Sequence, residues 1–161
     1  GVRNNYGETP GSHVTHGDGI GYGVSPSNFE RFRRFLERTG AKVVVSSNWR
    51  RFSEDPASPL YYWSGGKIGN PLPRLKDALG DLWAGDLPKD RHITKSEALD
   101  LWFEDNGLSP TACRYVVFDD DPREGYQSHP TFSKRFVMTE SEKGLTDDDC
   151  ARAEKILAQG V

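Results

Sequence analysis

An α/β layer fold is what the amino-acid sequence predicts, on three observations. Two short runs rich in β-branched and aromatic residues, 41–46 (Ala-Lys-Val-Val-Val-Ser) and 115–118 (Tyr-Val-Val-Phe), read as buried strands. Stretches with helical periodicity alternate with them. Polar residues suited to chemistry cluster directly after the strand ends, where open α/β sheets bind ligands.

Residues 1–28 are rich in Gly, Ser, His and Asn without periodicity and read as a long irregular segment. From Ser27, which can cap a helix, Phe29, Phe32, Phe35 and Leu36 recur on one face, and Gly40 ends the helix before the first strand. Residues 52–71, rich in Pro, Ser, Gly and Tyr, leave the sheet, and the whole of 51–90 is expected to be a cap or loop excursion holding a weaker helix near 73–83. Thr94 and Glu97 form a capping box opening a helix through Phe103, with Gly107 beyond its end. The second strand runs into Asp119, Asp120, Asp121 and Pro122, and another short strand is expected at 135–138. Thr146 followed by Asp147, Asp148 and Asp149 starts a last helix that buries Cys150, Ala153 and Leu157 and stops near Gly160. No repeat or linker divides the chain, so 1–161 reads as one domain.

Composition narrows the setting. The 161 residues carry 21 Lys and Arg against 24 Asp and Glu, a net charge of −3. No apolar run approaches the roughly 18 residues that span a bilayer. Two cysteines, Cys113 and Cys150, make neither a disulfide framework nor a metal-ligand spacing, so a reducing, cytoplasmic location is expected. Residues 1–51 hold eight basic against four acidic side chains. Their cluster at Arg31, Arg33, Arg34 and Arg38 fits either the solvated face of an amphipathic helix or attraction for a polyanion such as nucleic acid.

Three adjacent carboxylates at a strand end repel one another and call for a compensating cation, for which Mg²⁺ is suited, or else they form an Asp-rich turn. Ser46 and Ser47 follow the first strand directly and can offer hydroxyls and N–H groups to phosphate oxygens, although Ser and Asn at strand ends are also turn formers. Lys95 sits in a first helical turn, where the dipole disfavours a cation and a solvated side chain is the plainer reading. A hydroxyl after one strand, a lysine at a helix start and paired acids after the next strand make a more specific set than any single member.

That set resembles motifs two, three and four of the haloacid dehalogenase (HAD) superfamily: Val43-Val44-Val45-Ser46-Ser47-Asn48-Trp49-Arg50, then Lys95, then Val116-Val117-Phe118-Asp119-Asp120-Asp121. The Ser-Ser-x-Trp-Arg form, its Thr-Gly-Ala-Lys lead-in and the late Gly144-Leu145-Thr146 are similar to HAD-like domains of RNA-repair proteins. The resemblance implies a three-layer sandwich with a mostly parallel Rossmann-like sheet. It further implies that Ser46 binds a transferring phosphoryl group, that Lys95 neutralises it, that Asp119 and Asp120 hold or orient Mg²⁺, and that Ser47, Asn48 and Arg50 contact substrate.

The family's first motif, Asp-x-Asp at the end of a central strand, supplies a nucleophile and an acid/base and works through an aspartyl-phosphate. Gly1-Val2-Arg3-Asn4 looks like the continuation of that motif, which is itself not among the 161 residues. Asp18 is no replacement, because His13-Val14-Thr15-His16 before it is not a buried strand. Without a central strand the two flanking ones would stand nearly 10 Å apart, given about 4.8 Å between neighbours. An N-terminal fragment or a partner chain is therefore expected to supply it, and the 161 residues alone are expected to be inactive. The function expected is Mg²⁺-dependent hydrolysis of a phosphomonoester, with nucleic-acid ends as the substrate class. The alternative is a non-catalytic HAD-like module binding phosphate, nucleic acid or a partner. A response-regulator-like receiver also pairs acids with a lysine, but its lysine follows a later strand, whereas Lys95 precedes Asp119.

Overall fold

A computed structural model describes residues 26–47, 72–90, 92–140 and 142–159. Helix α1 (Pro26–Thr39) leads into strand β1 (Val43–Val45). Helix α2 (Leu72–Leu79), a 3₁₀ turn and strand β2 (Trp83–Asp86) follow, then helix α3 (Lys95–Asp105) and strand β3 (Val117–Asp119). Short 3₁₀ turns between Pro122 and Arg135 carry the chain to strand β4 (Phe136–Met138), and helix α4 (Asp147–Ala158) closes it. The described strands form two parallel pairs, β1 with β2 and β3 with β4. Among the described residues no helix is long and apolar enough to cross a membrane.

The local signals act as chemistry requires. Gly40 takes a positive φ of 70° and its N–H bonds the Leu36 carbonyl, ending α1 in a left-handed cap. Both capping boxes form: Thr94 and Glu97 satisfy each other's backbone N–H at the start of α3, and Thr146 and Asp149 do the same for α4. Leu157, on the same face of α4 as the buried Cys150 and Ala153, is half-buried and packs against the cluster they belong to.

Residues 72–90 depart from the expected excursion. They return to the sheet, where α2 buries Leu75 and Leu79 and β2 pairs in parallel with β1, Leu87 N–H reaching the Val45 carbonyl at 2.9 Å. The β2 sequence, Trp-Ala-Gly-Asp, is short and half-exposed, with neither alternation nor a β-branched residue to mark it as a strand. It pairs because α2 spans the parallel crossover from β1. The rest of the expected excursion, 51–71, and most of the irregular segment, 1–25, lie outside the described residues, while 26–28 already belong to α1.

Apolar side chains form two clusters. In one, Phe32 and Phe35 of α1 meet Val43, Val45 and Phe118, the Phe118 ring standing edge-on to both at 6.3 and 5.7 Å. In the other, Leu99 and Phe103 of α3 meet Val117, Tyr126 and Phe132, with Val44 against them. Alternate residues of each strand thus serve opposite clusters, as the pleat demands. Between β1 and β3 lies a mostly apolar cavity of about 390 Å³.

The basic face of α1 is a solvated, ion-paired surface. Arg33 pairs with Glu37 and Arg34 with Glu30 along the helix, while Arg31 reaches Asp147 and Arg38 reaches Glu154 on α4.

Candidate functional site

The C-terminal end of β3 and the first turn of α3 meet at one ion pair. Lys95 Nζ donates to Asp119 Oδ2 at 2.6 Å, and both side chains are 1% exposed. The solvated lysine that helix-dipole reasoning favours is thus corrected: Lys95 is buried. Two acids offset the dipole, since Asp119 takes the ammonium and Glu124 accepts the Lys95 backbone N–H at 2.7 Å, a carboxylate on a helix N-terminus. The loop after β3 therefore grips Lys95 at both its backbone and its side chain.

The three consecutive acids have different surroundings. Asp119 also accepts the Asp121 N–H through Oδ1, so each of its oxygens has a donor. Asp121 turns outward and is held in a fork by Arg123, with Nε at 3.0 Å from Oδ1 and a terminal nitrogen at 2.9 Å from Oδ2. It also accepts the Arg123 N–H, the cap of the first 3₁₀ turn. The Arg123 side chain and then its N–H hold the Asp121 carboxyl well down, at about 2. Asp120 is half-buried between them. The mutual repulsion expected of the triplet is thus relieved by two side-chain cations and one turn, so a metal ion is not needed to keep these acids together.

The donor chemistry still suits Mg²⁺, which takes as few as one or two carboxylates and completes its shell with water and phosphate oxygens. Asp119 and Asp120 are the acids that could hold it, because Asp121 is committed to Arg123. Among the described residues no group of three or more His, Cys, Asp or Glu is arranged to hold a metal ion.

Ser46 and Ser47 lie buried directly after β1, and Ser46 lines the cavity between the strands. Asn48, Trp49 and Arg50, with Tyr61, Tyr62 and Trp63, lie outside the described residues. Three residues of the site had no role in the sequence reading: Glu124, Arg123 and Gly125. Arg123 stands two residues after Asp121, a spacing that could have flagged a local pair. Glu124 meets a helix start 29 positions earlier, which no local pattern reveals. Gly125, at φ 86°, lets the loop pass so close to α3 that a Cβ there would lie 2.5 Å from Ser96 Oγ.

No curated protein and no solved structure matches the chain significantly. A family model described as the HAD domain in Swiss Army Knife RNA repair proteins matches residues 1–150. With a match over most of its length, the chain belongs to the family of HAD domains of Swiss Army Knife RNA-repair proteins.

Proposed function

We propose that this domain is a Mg²⁺-dependent phosphohydrolase of HAD type, acting on a phosphomonoester at a nucleic-acid end, and that its two parallel strand pairs belong to one three-layer sandwich. The buried Lys95–Asp119 pair carries this reading. A lysine buried beside strand-end acids supports a role in neutralising a phosphoryl group, because it is costly to bury for structure alone. In this reading Ser46 binds the transferring phosphoryl group and Lys95 neutralises its charge. Ser47, Asn48 and Arg50 contact substrate, and Asp119 with Asp120 holds the metal. Bound Mg²⁺ would polarise the phosphoryl oxygens. The nucleophile is an aspartate of an Asp-x-Asp segment outside these 161 residues, reacting through an aspartyl-phosphate.

A second reading, a phosphate- or RNA-binding module without catalysis, is favoured by one observation: both oxygens of Asp119 already have protein donors, and Asp121 is bound to Arg123. One experiment separates the two. Phosphate release from a 5′- or 3′-phosphorylated oligoribonucleotide is measured for the 161-residue chain, and for the same chain extended at its N-terminus by a strand ending in Asp-x-Asp. Release only by the extended chain, requiring Mg²⁺ and abolished by Ser46→Ala, supports the enzyme. Binding without release in both supports the module. Release by the 161-residue chain alone would overturn the nucleophile assignment.

A further inference from the structure

We infer that Arg123 is the contact for a second phosphate of the substrate, the internucleotide phosphate next to the terminal one, and so selects a nucleic-acid chain over a mononucleotide. The inference rests on the phosphohydrolase reading for the terminal phosphate, and on the turn after β3 for the second.

That turn is fixed to the site at both ends. Asp119, before it, takes the Lys95 ammonium at 2.6 Å, and Glu124, its last residue, takes the Lys95 backbone N–H at 2.7 Å. Pro122 restricts its first φ, and Asp121 caps it by accepting the Arg123 N–H at 2.9 Å. Arg123 is thus the immediate neighbour of a residue bound to Lys95, yet its side chain is 88% exposed while that of Lys95 is buried. One corner of the molecule therefore carries two cations in different settings, one enclosed and one in solvent.

The fork with Asp121 sets how the guanidinium presents its donors. It engages Nε and one terminal nitrogen, at 3.0 and 2.9 Å, which together form one edge of the planar group. A guanidinium has five N–H groups; the fork uses two, and the other three meet no acceptor among the described residues. Two of those three, one from each terminal nitrogen, lie parallel on the outer edge and match two oxygens of a phosphate. As an exposed ion pair the fork adds little stability, so what it supplies is orientation. Local net charge does not supply the attraction, because Asp119, Asp120, Asp121 and Glu124 outnumber Lys95 and Arg123. An aimed donor has to.

The test titrates the 161-residue chain, in Mg²⁺, with hexa-adenylate phosphorylated at its ends and with adenosine monophosphate, following amide NMR shifts. The native protein should bind the oligonucleotide more tightly. Arg123→Ala should weaken that binding about tenfold and lower its salt slope by about 0.7, while changing mononucleotide binding less than about twofold. Asp121→Asn keeps an oxygen for the cap of the turn and removes a negative charge. Orientation by the fork predicts weaker oligonucleotide binding in this variant, whereas charge alone predicts tighter binding. No preference for the oligonucleotide, unchanged binding in Arg123→Ala, an equal loss for the mononucleotide, or tighter binding in Asp121→Asn would overturn the inference. Adenosine diphosphate bound as tightly as the oligonucleotide, with the same loss in Arg123→Ala, would overturn it in favour of a diphosphate end. The phosphohydrolase reading fails separately, if the chain extended by Asp-x-Asp shows this binding pattern and releases no phosphate.

Discussion

The ammonium of Lys95 and the carboxylate of Asp119 lie 2.6 Å apart and almost wholly out of water, 24 residues apart in the chain. Such a pair adds little net stability compared with an apolar replacement, yet removing one partner strands a buried charge, at about 3–5 kcal/mol. Lys95→Met and Asp119→Asn should each destabilise on that scale, and the double variant should cost far less than their sum. Urea denaturation of the four proteins of the cycle measures the coupling. Strictly additive losses would show that the two charges do not depend on each other.

The tight passage of the loop after β3 over α3 predicts a split effect at Gly125. Alanine there meets two separate obstacles: a left-handed backbone at φ 86° and a Cβ 2.5 Å from Ser96 Oγ. The first costs about 1–2 kcal/mol for an L-residue, and the second adds to it. Gly125→Ala should therefore destabilise by about 2 kcal/mol or more. Adding Ser96→Ala should recover the steric part and leave the backbone part. Full recovery in urea unfolding would mean that the backbone conformation is not strained.

How much of this was legible in the sequence follows from what each feature depends on. The capping boxes of Thr94 and Thr146 and the glycine stop at Gly40 depend on neighbours within four residues and stand where those signals put them, while the strand expected at 115–118 forms at 117–119. Strand β2 depends on β1 and the crossover through α2, because its own residues lack strand character, and it went unread. The site divides in the same way. Motif spacing singled out Ser46, Lys95 and Asp119, whereas the burial of Lys95 and the arrival of Glu124 at its N–H arise from packing between segments distant in sequence. The acid triplet alone leaves an outside cation and an Asp-rich turn equally open, because it does not reveal that Lys95 and Arg123 supply the charge while Asp121 caps a turn.

The fork between Arg123 and Asp121 sets a pH prediction. The Asp121 carboxyl is held at about 2, below its ordinary value of 3.8, chiefly by the Arg123 side chain. A group depressed on folding contributes stability that is present above its unfolded value and lost as pH falls through the folded one. The pair's contribution should therefore fade between about pH 4 and pH 2. It should be small, because the Arg123 side chain is 88% exposed. Carbon NMR of the carboxyls should find Asp121 titrating near 2 and, in Arg123→Ala, moving back toward the ordinary range. A titration unchanged by the substitution would show that the fork is not the cause.

The two thiols should differ sharply in reactivity. Cys150 lies in the core against α1, and burial pushes its thiol up to about 11. Cys113 is half-buried on the wall of the cavity between β1 and β3. Because the thiolate is the reacting form, iodoacetamide at pH 8 should label Cys113 in the native protein and leave Cys150 intact, with both labelled in urea. The raised thiol also fixes a sign at the alkaline end. A folded value above the unfolded one means stability held below about pH 9 and lost as the pH rises through about 11. Cys150→Ala should flatten that limb at the expense of a small core void. Mass spectrometry of the native labelling decides the first point, and equal modification of both cysteines would show that α4 does not hold Cys150 in the core.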